Sequence, residues 1–194
     1  MIVISAPSGT GKSTIIGRLI DDEQLRLSFS VSATTRAPRE GEQDGVHYYF
    51  MTVEEFEREL AADAFAEHEE VYPGRYYGTL KREIERINAL GRNVILDVDV
   101  KGGLSVKRLY GDEALCIFIA PPSVEVLRQR LEKRGTDSPE EIDRRVGKAE
   151  QELEFAPQFD HIVVNDDLDV AVAEVRALIY NHINDEIEPA EEVE

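Results

Sequence analysis

The sequence predicts an α/β protein: a mostly parallel five-stranded sheet with helices on both faces, a β-rich insertion and a small helical one. Three observations predict it. Short apolar runs alternate with helical patterns along most of the 194 residues. The first run, Ile2-Val3-Ile4, feeds directly into Ala6-Pro-Ser-Gly-Thr-Gly-Lys-Ser13 and then into a helix-forming segment. The rhythm breaks over residues 33–80, which read as β-rich, and over 127–152, which are mostly charged.

Taken in order, Ile2–Ile4 is the first strand and Thr14 to Ile20 the first helix. The strand, glycine-bearing loop, Lys-Ser and helix between them form a phosphate-loop arrangement. Inward-pointing backbone N–H groups make an anion nest there, and the helix adds its positive dipole end. Lys12 is placed to reach the outer phosphates of a nucleoside triphosphate, and the Ser13 hydroxyl to ligate Mg²⁺. The other candidate contacts are Ala6, Pro7, Ser8, Gly9, Thr10, Gly11 and Thr14. Ala6 stands where the usual pattern opens with Gly. The alternative for such a stretch is a glycine-rich turn that caps a helix and binds nothing.

Leu27 to Ser32 alternates as a strand, and a polar segment with Pro38 and Gly41 follows. Val46–Phe50 reads as a short strand. Thr52, with Glu55 three residues on, caps a helix beginning at Val53. Phe65–Val71 and Tyr76–Gly78 read as strands around a Pro-Gly turn. Leu80–Leu90 is an amphipathic helix ended by Gly91. Asn93–Asp97 is a buried strand with acidic residues at its end. The stretch from there to Ala114 receives no element. Ala114–Ile119 is a strand stopped by Pro121-Pro122, Val124–Lys133 a helix, and Pro139 opens a long charged helix to about Glu154. His161–Val164 is the last strand and Leu168–Ile183 the last helix. The domain plan is therefore a core of 1–32, 81–126 and 153–184, insertions at 33–80 and 127–152, and a disordered acidic tail at 185–194.

The net charge of −18 excludes nucleic acid as a general partner, because phosphate backbones need a basic surface. An anionic small substrate must then be gripped by local Arg clusters. Lys is scarce, six against sixteen Arg, and dense carboxylate with little Lys suits a high-salt cytoplasm. No apolar run approaches the ~18 residues of a membrane span, and no signal peptide is visible, so a cytoplasmic protein without a membrane partner is expected. Cys116 lies in an apolar run and reads as buried. His47, His68, His161 and His182 lack metal-ligand spacing, and no structural metal is expected.

Asp97 and Asp99 end a buried strand, the edge where α/β sheets place ligands, and a carboxylate beside the phosphate loop holds Mg²⁺ or its waters. The alternative is an acidic turn. Arg36 and Arg39 flank Ala37-Pro38 and are spaced to converge on one phosphate, with Tyr48 and Tyr77 adding hydroxyl donors. Each of these side chains, taken alone, also fits a surface ion pair or simple packing. Arg130, Arg134 and Arg145 are candidates for stabilising charge on a transferring phosphoryl group, against surface pairing to Glu132 or Glu141.

Ser8-Gly-Thr-Gly-Lys-Ser-Thr14, Ser30-Val-Ser-Ala-Thr-Thr-Arg36-Ala-Pro-Arg39, Gly41-Glu and Gly45-Val-His-Tyr48-Tyr-Phe together resemble the guanylate kinases. So do Tyr76-Tyr77-Gly78-Thr79, Ile95-Leu-Asp97-Val-Asp99, Arg134-Gly-Thr136 and Val164-Asn-Asp-Asp167. The resemblance covers residues 2 to about 182 in family order. It implies a P-loop kinase fold and transfer of the ATP γ-phosphate to GMP. It implies that Arg36, Arg39, Tyr48 and Tyr77 hold the GMP phosphate, that Ser32, Glu67 and Thr79 read guanine, and that Asp99 assists. Lys12, Ser13 and Asp97 fall on the ATP–Mg²⁺ side, while Arg134 and Arg145 match lid residues. Residues 33–80 become the GMP-binding domain and 127–152 the lid. GMP, dGMP and ATP are the implied small-molecule partners, and a homo-oligomer remains open. Lys101 departs from the family, where Gln is more usual. The rival readings are an inactive protein-interaction module of the same fold and a kinase for another acceptor such as a ribose bisphosphate.

Overall fold

The computed structural model describes residues 1–135 and 137–185. In chain order it contains β1 (Ile2–Ser5), α1 (Lys12–Leu19), β2 (Leu27–Phe29), β3 (Ala33–Thr34), β4 (Tyr49–Phe50), α2 (Val53–Ala61), β5 (Phe65–Tyr72), β6 (Arg75–Leu80) and α3 (Lys81–Ala89). Then follow β7 (Asn93–Asp97), α4 (Val100–Tyr110), β8 (Leu115–Ala120), α5 (Val124–Arg134), α6 (Pro139–Leu153), β9 (His161–Val164) and α7 (Leu168–Asp185).

The main sheet is five-stranded, in the order β2-β7-β1-β8-β9, and every pairing in it is parallel. Strand alternation decides what each face buries. Ile2 and Ile4 of β1 pack with Ile15, Ile16 and Leu19 of α1 and with Ala171, Val175 and Ile179 of α7. Val3 points the other way, with Val94 and Leu96, toward Ile84 and Ile87 of α3 and Val100 and Val106 of α4. Helices therefore cover both faces, as expected. Cys116 is buried here, and burial pushes its thiol up to about 12.

The second sheet, β4-β3-β6-β5, falls within the β-rich insertion. Phe56 of α2 seals it, stacked on Phe65 at 4.3 Å and on Tyr76 at 5.1 Å. The Thr52–Glu55 capping box that starts α2 is formed in both directions. Leu127 and Leu131 of α5 pack on Ile142, Val146 and Ala149 of α6 as a small separate core.

Four expectations need correction. Val46 to Tyr48 are not strand: Val46 and His47 both donate backbone N–H groups to the Gln43 carbonyl, so the chain turns, Tyr48 makes only an isolated bridge with Asp44, and only Tyr49–Phe50 join the sheet. The strand expected over 27–32 stops at Phe29, and the chain re-enters the second sheet at Ala33. The unassigned stretch after Asp97 holds the 11-residue helix α4. The tail expected from 185 overlaps α7, which runs through Asp185; residues 186–194 and Thr136 lie outside the described residues.

Candidate active site

The carboxyl ends of β1 and β7, the starts of α1 and α4, and the inner face of the β5–β6 hairpin open onto one cleft of about 1150 Å³. Residues 6–14 form one wall. Gly9 and Gly11 have φ of +94° and +95°, a region L side chains rarely adopt. The loop closes on itself where the Thr10 hydroxyl donates to the Pro7 carbonyl at 2.9 Å. Asn165, just past β9, donates to the Thr10 carbonyl at 2.6 Å in a buried setting. A Cβ on Gly11 would lie 2.4 Å from the same Asn165 amide, so the glycine lets Asn165 brace the loop. Ala6 is buried and its position fits the loop without a positive φ.

Lys12 Nζ donates to the Val98 carbonyl at 3.0 Å and pairs with Asp97 at 2.5 Å. The loop lysine and the strand-end carboxylate thus meet at the loop wall of the cleft. The Ser13 hydroxyl is exposed at the start of α1. Ser13 and Asp97 are hard oxygen donors lining one cleft, a set that fits Mg²⁺, which takes its other ligands from water and phosphate.

Across the cleft, β5 alternates so that Glu67 and Glu69 share a face, opposite Thr79 and Tyr77 of β6. Glu67 is 9% exposed and accepts from the Thr79 hydroxyl at 2.6 Å. Burial raises its pKa, the Thr79 hydrogen bond opposes that, and Asp99 adds repulsion. Asp99 caps α4 by accepting from the Gly102 N–H at 2.8 Å. Glu69 hydrogen-bonds Asp99; that contact and burial lift Glu69 to about 7. Asp99 is lowered: burial opposes, but the Glu69 and Gly102 hydrogen bonds prevail. Glu152 is raised by burial against the pull of Lys148.

Ser32, Tyr48, Tyr77, Arg134 and Arg145 also line the cleft. Tyr48 and Tyr77 meet edge-on with centroids 6.0 Å apart. Arg145 of α6 donates to the Ser8 hydroxyl at 2.6 Å and pairs with Asp137 and Glu141, tying the charged helical insertion to the loop. Arg130 donates to the Asp166 carbonyl at 3.4 Å. Arg36, Arg39 and Thr79 are not among the lining residues of the main cleft. Thr79 instead borders an adjoining cavity of about 310 Å³ that shares Ser32, Tyr48 and Asp97. Arg36 lies behind Tyr48, its guanidinium 5.3 Å from the ring centre, and pairs with Glu42. Arg39 is exposed. Lys101 is exposed on α4 and adds its charge near Glu69.

Sequence reasoning quoted Asn165 only inside Val164-Asn-Asp-Asp167, with no role of its own, and missed Glu69 and Gly102. Asn165 had a signal, a polar residue directly after an apolar strand. Glu69 follows from Glu67 by period two along one strand face. Gly102 is needed because a Cβ there would sit 3.1 Å from Glu67 Oε2 and 3.3 Å from Asp99 Oδ1.

A family model described as guanylate kinase matches residues 1–182. The guanylate kinase of Porphyromonas gingivalis is 58% identical over 183 residues, spanning 94% of this chain and 97% of that protein. That of Bacteroides thetaiotaomicron is 53% identical, spanning 96% of this chain and 91% of that one. A crystal structure of guanylate kinase from Anaplasma phagocytophilum superposes with a TM-score of 0.69 at 29% identity, covering 98% of this chain and 87% of the other.

Proposed function

The chain belongs to the guanylate kinase family, and we propose that it transfers the γ-phosphate of ATP to GMP, giving ADP and GDP. The observation that carries this is the facing of two walls across one cleft. A phosphate loop stands on one side, and on the other Glu67, held from behind by the Thr79 hydroxyl. A carboxylate accepts from both the N1–H and the 2-amino group of guanine, whereas adenine offers no such pair of donors. A site built to satisfy those donors rejects bases that lack them.

Residues 6–14 would cradle the ATP phosphates through backbone N–H groups, and Lys12 would neutralise their outer oxygens. Ser13 and Asp97 would hold Mg²⁺, Asp97 partly through water. When bound, Mg²⁺ supplies charge neutralisation on the β- and γ-phosphate oxygens. Arg134 and Arg145 would stabilise charge on the transferring group from the lid, 127–152. Arg36, Arg39, Tyr48 and Tyr77 would grip the GMP phosphate, with Ser32, Glu67, Thr79 and Asp99 around the base, all on or beside the 33–80 domain. Closure of both insertions would exclude water, a competing acceptor. Positioning and electrostatics suffice, with no covalent intermediate.

A kinase for a ribose bisphosphate would have no use for the Glu67–Thr79 pair, and a scaffold module none for the Lys12–Asp97 constellation. The test is coupled ADP release with ATP–Mg²⁺ and GMP, dGMP, AMP, UMP or ribose phosphates. Turnover with GMP, weaker turnover with dGMP and none with the others is expected. Preference for any non-guanine acceptor overturns the proposal.

A further inference from the structure

Glu42 lies outside every role assigned above, yet its carboxylate organises both arginines proposed for the acceptor phosphate. It accepts end-on from Arg36, Nη1 to Oε2 and Nη2 to Oε1, both at 2.9 Å. The same Oε2 accepts the backbone N–H of Arg39 at 2.6 Å. Gly41, at φ +85°, turns the chain back, and the Glu42 N–H donates to the Arg39 carbonyl at 3.0 Å. The Arg36–Glu42 pair is mostly shielded, with side chains 9% and 17% exposed. The Arg36 contact and the Arg39 N–H hold the Glu42 carboxyl down to about 2, so it stays charged across the physiological range.

The donor count decides what this contact leaves available. Arg36 Nη1 also donates to the Ala37 carbonyl at 2.8 Å. Three N–H groups are thereby directed to Glu42 and Ala37. The two that remain, Nε–H and the second Nη2 proton, lie together on the side edge of the planar guanidinium. That edge is the fork that takes two oxygens of one phosphate. The ring faces of Tyr48 and Phe50, with centroids 5.3 and 5.8 Å from the guanidinium carbon, fix its plane. The Tyr77 hydroxyl, another candidate phosphate donor, lies close to the same guanidinium.

Taking Arg36 as a ligand of the GMP phosphate, as proposed above, we infer that Glu42 is a positioning residue. It occupies the end of the Arg36 guanidinium so that the side edge faces the acceptor phosphate, and it sets Arg39 relative to Arg36. It touches neither base nor reacting atoms.

The test compares Glu42→Gln and Arg36→Ala with the parent protein, using GMP and guanosine as ligands and steady-state kinetics with ATP–Mg²⁺. Glu42→Gln is expected to raise KM for GMP about tenfold, keep kcat within about twofold and leave KM for ATP unchanged. Its guanosine affinity should equal the parent's, because guanosine carries no phosphate. Equal losses for GMP and guanosine, or an unchanged KM for GMP, overturn the inference; so does tighter GMP binding, which would make Glu42 a competitor for the phosphate. Glu42→Asp should recover part of the affinity if carboxylate placement matters, and no recovery counts against it. Arg36→Ala separates the premise: if it leaves GMP binding intact, the phosphate assignment itself fails. If it weakens GMP binding while Glu42→Gln does not, only the positioning role fails.

Discussion

Glu69 and Asp99 line the cleft in hydrogen-bond contact, and sharing one proton avoids placing two charges side by side. The Glu69 pKa stands at about 7, above its ordinary 4.5. The folded protein therefore binds more protons than the unfolded chain between those values. Its contribution to stability is complete below about 4.5 and is lost as pH rises through about 7. Lys148 and Lys101 pull the other way and narrow the window. Chemical denaturation between pH 4.5 and 8 should show the parent losing stability relative to Glu69→Gln as pH rises; parallel curves would refute a shared proton. At this scale the sequence was uneven. Lys12 and Ser13 were legible because a phosphate loop demands fixed spacing over a few neighbours. The role of Asn165, a residue quoted only within a family motif, was not, because its partner Thr10 lies 155 positions away. The Arg36–Glu42 pair was hidden differently: the arginines read as phosphate ligands, while what aims them is a carboxylate on the next turn of chain.

Among the elements, α4 is the one whose absence from the sequence reading teaches most. Gly102 and Gly103 disfavour a helix by propensity, and they fall in its first turn. Packing overrides propensity there. A Cβ on Gly103 would lie 2.5 Å from Ser5 Oγ and 3.1 Å from Phe159, so only glycine lets α4 sit against β1. Asp99 supplies the cap, which means one side chain both starts the helix and faces the cleft. Gly103→Ala is expected to destabilise the fold by about 1–3 kcal/mol through overpacking, read from urea denaturation. An unchanged midpoint would show that α4 has slack. The parallel strands, by contrast, were legible as short apolar runs bounded by glycine, proline or charge. The failure at Val46–Tyr48 shows the limit of strand propensity: a backbone turn onto Gln43 wins over an apolar and aromatic run.

Across the whole molecule, a −18 net charge surrounds a cleft that must receive two anionic nucleotides. The cleft answers with Lys12, Arg130, Arg134, Arg144, Arg145 and Lys148 on its lining. The remaining excess of carboxylate repels itself, and salt screens that repulsion. The melting temperature should therefore rise from dilute buffer to molar KCl; higher stability in dilute buffer would contradict a chain suited to high salt. The central claim is narrower, that one buried carboxylate selects the acceptor while the opposite wall handles the donor. Steady-state kinetics of Glu67→Gln test it most directly. The account predicts a KM for GMP raised at least tenfold with KM for ATP unchanged, because only the guanine loses one of its two carboxylate acceptors and meets an amide N–H instead. Equal rises for both nucleotides, or an unaltered KM for GMP, would contradict it.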